Sequence, residues 1–76
     1  MAKFVSSRNP VSVRSLKRKP VGSVVLRHWS CGEVSFTRVT GGWRAEREDS
    51  EVVSSADVAR ECNMAIGCKE SWARVY

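Results

Sequence analysis

The stretch spanning residues 32–48, GEVSFTRVTGGWRAERE, limits the fold more than any other part of the chain. Two runs of alternating character flank Gly41-Gly42, and a glycine pair takes φ > 0 at both central positions of a type I′ turn at little cost. The sequence therefore predicts a β-hairpin with Thr40 opposite Trp43, Arg38 opposite Ala45 and Phe36 opposite Arg47. Because side chains alternate along a strand, Val34, Phe36, Trp43 and Ala45 fall on one face and Arg44, Glu46 and Glu48 on the other.

The remaining elements are placed around that hairpin. Residues 21–29 (VGSVVLRHW) are rich in valine, which is stiff at χ1 and suits a pleated surface, so they predict a first strand. Residues 33–39 and 43–48 form the second and third strands. Ser54 is placed to cap a helix, with Asp57 three residues on as in a capping box. Val58, Cys62, Ala65 and Ile66 then recur at i, i+4, i+7 and i+8, an apolar stripe suited to the Val34/Phe36/Trp43/Ala45 face. Gly67 is placed as the helix stop, and residues 71–76 (SWARVY) read as a closing strand. The predicted fold is α+β, order βββαβ: a small antiparallel-rich sheet with one helix packed on one face, preceded by a basic arm. The compact domain covers residues 21–76. Residues 1–20 form the arm, with Val11 and Val13 suggesting a short edge strand over 11–16.

Charge separates these two parts. Residues 1–27 hold seven Lys or Arg and no acid, whereas residues 28–76 hold six bases against eight acids. The net charge of +5 is therefore an excess on the arm, carried by Arg8, Arg14, Lys17, Arg18 and Lys19 among others. Such a run is either a solubilising tail or a phosphate-tracking one. No stretch approaches the roughly 20 apolar residues of a membrane helix, and MAKFVSSRNP lacks the apolar core of a secretory signal. Three cysteines are an odd number and do not suggest a disulfide framework. The expectation is a protein of the cytoplasm with reduced thiols and no membrane partner.

Few constellations offer chemistry. His28, Cys31, Cys62 and Cys68 supply the four ligands a structural zinc would need. Against that, Cys62 and Cys68 are spaced more widely than a knuckle, and Cys62 sits on the apolar stripe, where a thiol packs as a small hydrophobe. No cofactor is expected. His28 is the only histidine, which leaves a nucleophilic cysteine without a base and an orienting group, so no enzymatic activity is expected. Among the tryptophans, Trp43 and Trp72 are assigned to the core. Trp29, at a strand end beside a turn, is the candidate exposed anchor for a partner.

From Val21 onward the GEVSFTRVTGGW hairpin, the VVSSADVAR helix entry and the terminal WARVY resemble small uncharacterised proteins of phages that infect actinobacteria. The resemblance carries no assigned function and no site residue. It implies a protein that acts in a host cell by docking on a host macromolecule, inhibitors of host defence included. Three readings follow. The first is a non-enzymatic module that binds and modulates a host protein or complex, and the phage resemblance places it first. The second is a nucleic-acid-binding accessory protein using the arm. The third is an oligomeric sponge for a small ligand or nucleotide, hinted at by the Gly41-Gly42 amides and nearby arginines.

Overall fold

In a computed structural model that describes residues 3–29, 32–46, 51–68 and 70–76, the hairpin forms the middle of one antiparallel sheet. The strands are β1 (Lys3–Phe4), β2 (Val24–Trp29), β3 (Gly32–Val39), β4 (Gly42–Ala45), β5 (Val52–Val53) and β6 (Trp72–Val75). They lie in the order β1-β6-β2-β3-β4-β5, every neighbour antiparallel. Two helices complete the chain, α1 (Val13–Lys17) and α2 (Ser55–Asn63). The predicted α+β architecture is present as β2-β3-β4-α2-β6, with β1, α1 and β5 added to it. The distal part of the predicted third strand, at Arg47 and Glu48, lies outside the described residues.

The hairpin register differs from the prediction by two residues. Val39 pairs with Gly42, Arg38 with Trp43 and Phe36 with Ala45, so the turn is centred on Thr40-Gly41 rather than Gly41-Gly42. A slip of two leaves each side chain on its original face, whereas a slip of one would have inverted them all. Phe36, Trp43 and Ala45 therefore still share a fully buried face. The two glycines have different tasks. Gly41 takes φ +85°, which the turn requires, while Gly42 is already in β4, where a Cβ would stand 2.6 Å from the Val53 carbonyl oxygen. Arg38 secures the turn from the side, donating from Nη1 to the Val39 and Gly42 carbonyls at 2.8 and 2.7 Å. Gly42→Ala should displace β5 and cost about 1–3 kcal/mol, the range for overpacking a close contact. A lowered urea midpoint tests this; an unchanged one would mean that β5 moves freely.

α2 forms as the capping pattern predicts. Ser54 Oγ accepts from Asp57 N–H at 3.1 Å, and Asp57 receives the Ser54 hydroxyl in return at 3.1 Å. The helix ends at Asn63, and a turn carries the chain on through Gly67. Val58, Cys62 and Ala65 are buried as predicted, together with Ala59; Ile66 is half-buried at the margin. They meet Val25, Phe36, Trp43, Ala45 and Ala73 from one side of the sheet in a single core.

The N-terminal segment departs furthest from expectation. Residues 11–16 are not an edge strand: Ser12 caps α1, its Oγ accepting from Ser15 N–H at 3.1 Å. The V-S-V-R alternation suits a strand, but Val13 and Leu16 also stand at i and i+3, and a serine before such a pair stabilises a helix start. Tertiary contacts favour the helix. Leu16 is fully buried, and the Asn63 side chain clamps Val11, accepting from its N–H at 2.9 Å and donating to its carbonyl at 2.8 Å. In place of an arm outside the body, described residues 3–20 pack against it through β1, Val11 and α1.

Candidate functional site

Both helices lie on one side of the sheet, and among the described residues nothing covers the other. Strand alternation sends Phe4, Leu26, His28, Arg44, Trp72, Arg74 and Tyr76 to that open side. Arg74 is its centre. Its guanidinium carbon lies 4.3 Å from the Phe4 ring centroid, 5.3 Å from that of Trp72 and 5.9 Å from that of Tyr76. Arg74 Nη1 also donates to the Tyr76 hydroxyl at 3.2 Å. His28 stacks on Trp72 with centroids 5.2 Å apart and rings within 9° of parallel, and Phe4 meets Trp72 edge-on at 6.0 Å. Glu33 Oε1 stands 3.5 Å from His28 Nδ1 across the β2–β3 pair. Phe4 and Tyr76 remain about half exposed, at 53% and 46%.

This cluster revises two assignments. Trp72 belongs to the open face, half-buried among its neighbours, and is no core residue; Trp43 is, fully buried and donating from Nε1 to Ser55 Oγ at 3.1 Å. Trp29, the expected exposed anchor, is not on the open face. It is half-buried on the helix side, with the Arg27 guanidinium carbon 4.4 Å from its ring centroid. The period-2 pattern of residues 72–76 held a signal for the open face, since Trp72, Arg74 and Tyr76 share one side. Phe4 gave none, because its place beside Arg74 depends on β1 pairing with β6 across the whole chain.

The basic residues divide. Arg14, Lys17 and Arg18 are exposed, stand at i, i+3 and i+4 around α1, and have no side-chain partner among the described residues. Arg8 is exposed in the turn between Ser6 and Asn9. Lys19 is half-buried and reaches the sheet, donating from Nζ to the Tyr76 carbonyl at 3.3 Å. It therefore joins the basic helix to the Tyr76 end of the aromatic cluster. Arg27 is withdrawn altogether, 2% exposed and donating from Nε to the Glu61 carbonyl at 2.7 Å.

The three described zinc candidates, His28, Cys62 and Cys68, do not assemble. His28 lies on the open face, whereas Cys62 is fully buried beneath α2 on the opposite side. Cys68 is exposed, its thiol donating to the Met64 carbonyl at 3.4 Å, and Cys31 lies outside the described residues. Burial pushes the Cys62 thiol up to about 12; nearby Arg27 pulls it down and Glu61 pushes it further up. A protonated, enclosed thiol is a poor nucleophile. In a Cys31→Ser background at pH 8, iodoacetamide should modify Cys68 in the folded protein and spare Cys62 until denaturant is added. Peptide mass mapping reads the result, and equal labelling would show that the α2–sheet contact opens readily. Stability should also hold level up to about pH 9 and fall from there towards pH 12. Over that range the unfolded thiol ionises while the folded one keeps its proton, so the unfolded chain binds fewer protons.

The nucleotide reading loses its structural hint. Gly42 is enclosed within the sheet, and Arg38 is occupied by the turn carbonyls. A cleft lined by Val5, Pro10, Val11, Val75, Asn9, Ser15 and Lys19 has a volume of about 210 Å³. That is below the roughly 300 Å³ at which small-molecule pockets begin, whereas a more open cleft along α1, lined by Arg14, Arg18 and Lys19, has about 510 Å³. No helix among the described residues is long and apolar enough to cross a membrane. Comparison with family models, curated proteins and solved structures finds no match.

Proposed function

We propose that this chain is a non-enzymatic nucleic-acid-binding protein. The observation that carries the reading is the set of unpaired cations on α1. Arg14, Lys17 and Arg18 stand on a helix fixed to the body by Leu16 and Asn63, and no carboxylate neutralises them among the described residues. A solubilising tail needs no fixed geometry. Cations held in place lose less freedom on meeting a phosphate backbone, so each contact contributes more. Lys19, Arg44 and Arg74 extend the same charge around the Tyr76 end and onto the open face.

Anisotropy of a fluorescein-labelled 20-nucleotide strand tests the proposal. Binding at 50 mM salt should weaken steeply by 200 mM, as counterion release requires. The triple reversal Arg14→Glu, Lys17→Glu, Arg18→Glu should weaken it roughly 10-fold or more and lower the salt slope by about 2. These side chains are exposed, so circular dichroism should show an intact fold. No binding at low salt, or an unaffected triple variant, would overturn the reading.

A protein partner is the second reading, favoured by the exposed apolar surface of Phe4 and Val52 on the open side of the sheet. It fits the resemblance to phage proteins that dock on host factors. The acid-free charge of residues 1–27 places it second.

A further inference from the structure

We infer that the open sheet face binds unpaired bases, making the ligand single-stranded DNA or RNA rather than duplex. This rests on the nucleic-acid reading above and goes beyond it, because cations on α1 alone would serve either form.

The open face presents rings to solvent. Phe4 and Tyr76 flank Arg74 with about half of each side chain in solvent. Trp72 extends the row along β6, two residues from Arg74, and His28 lies stacked against it. Side chains on one face of a strand recur about every 6.8 Å, so Trp72, Arg74 and Tyr76 form a row of two rings and one planar cation, in which Arg74 and His28 already lie over one side of the rings. Bases stack on such surfaces through their faces, which a duplex hides between neighbouring pairs.

Arg74 has no carboxylate partner among the described residues; its guanidinium bonds the neutral Tyr76 hydroxyl through Nη1 and keeps its positive charge uncompensated. Arg44 on the same face is exposed and also unpaired. A phosphodiester or a base edge would supply the acceptors that these guanidiniums lack. Lys19, bonded to the Tyr76 carbonyl, links this line to Arg14, Lys17 and Arg18, so a strand can pass from the stacking row onto the basic helix.

A duplex asks for a different shape. A major groove about 12 Å wide is read by an inserted helix or ribbon. The basic helix has five residues, about 7.5 Å of length at 1.5 Å per residue, and Leu16 holds it against the body. It can lie along a backbone, whereas a groove-reading helix must project.

Anisotropy with labelled dT12, rU12 and a 12-base-pair duplex tests the inference, and the first two distinguish DNA from RNA. The single strands should bind at least 10-fold tighter than the duplex. Phe4→Ala and Tyr76→Ala, both at exposed positions, should each weaken single-strand binding roughly 5- to 10-fold. They should leave the salt slope unchanged, because no cation is removed. Titration with dT12 should quench tryptophan fluorescence in the wild type and not in Trp72→Phe, since Trp43 is buried and Trp29 lies on the helix side. If single and double strands bind alike and the alanine variants are neutral while the α1 reversal still weakens binding, the stacking inference fails and the nucleic-acid reading stands. If none of the three probes binds at 50 mM salt, both fail and a protein partner becomes the reading for this face.

Discussion

Trp43→Ala should remove a large share of the protein's stability and bring its urea midpoint down steeply. Trp43 is the largest fully buried side chain, lying between Arg38 on β3 and Val53 on β5 while α2 covers it. Large-to-small changes of a buried tryptophan cost about 3–5 kcal/mol. The lost indole donor also leaves Ser55, 5% exposed at the start of α2, without its partner. A domain of this size has about 4–11 kcal/mol in total at roughly 0.05–0.15 kcal/mol per residue. Trp43→Phe keeps most of the ring and loses the hydrogen bond, so it should cost only about 1–2 kcal/mol. Urea unfolding followed at 222 nm separates the three proteins. Equal midpoints for Ala and wild type would mean that α2 does not depend on this contact. Trp72→Ala on the open face should cost far less, because its ring supports neighbours that water already reaches.

Arg27→Ala should be the second most damaging change, at about 2–4 kcal/mol, and Arg27→Met should recover part of the loss. The reason lies at the C-terminal end of α2, where the last carbonyls lack intrahelical donors. Backbone N–H groups of Met64, Ala65 and Ile66 bond the carbonyls of Arg60, Cys62 and Asn63. The carbonyl of Glu61 is taken by Arg27 Nε, reaching across from β2 at 2.7 Å. Arg27 also donates to the His28 carbonyl and covers the Trp29 ring. A cation at a helix C-terminus is favourable as well. Alanine removes the donors and leaves a void; methionine fills the void and still lacks the donors, which fixes the order wild type, Met, Ala. Amide exchange in the last turn of α2 should quicken in both variants. If Ala and Met were equally stable to wild type, the arginine would be a passenger in the core.

Arg27 also shows what residue type alone conceals. Counted by charge it belongs with the basic N-terminal third; by position it is interior. Its neighbours Val25 and Trp29 share its side of β2, so alternation alone would have placed it inward. A buried arginine nevertheless needs acceptors; one is the neighbouring His28 carbonyl, and the other comes from a helix 34 positions away. The same holds for Phe4 and Arg74, 70 positions apart in the chain and adjacent in the sheet. By contrast, the α2 cap is local, three residues from Ser54 to Asp57, and was legible. Trp29 beside a turn and Trp72 in a terminal strand differ little as sequence contexts. The register of β6 on β2 decides between them, because it pairs Trp72 with His28 on the open side while Trp29 shares the helix side with Arg27.

Local chemistry was enough to specify the hairpin, the capped helix and the faces of β3 and β4, since period, turn residues and caps act over a few positions. It left the register two residues adrift, because a buried face constrains parity, while the meeting of Gly42 with β5 selects the pairing. Packing decided the rest. The Asn63 clamp and the burial of Leu16 made a helix of residues that also suit a strand. The order of strands then gathered Phe4, Trp72, Arg74 and Tyr76 on the side of the sheet that no helix covers. Contacts between residues far apart in the chain are worth their loop-closure entropy only in the assembled fold, so no short window of sequence encodes them.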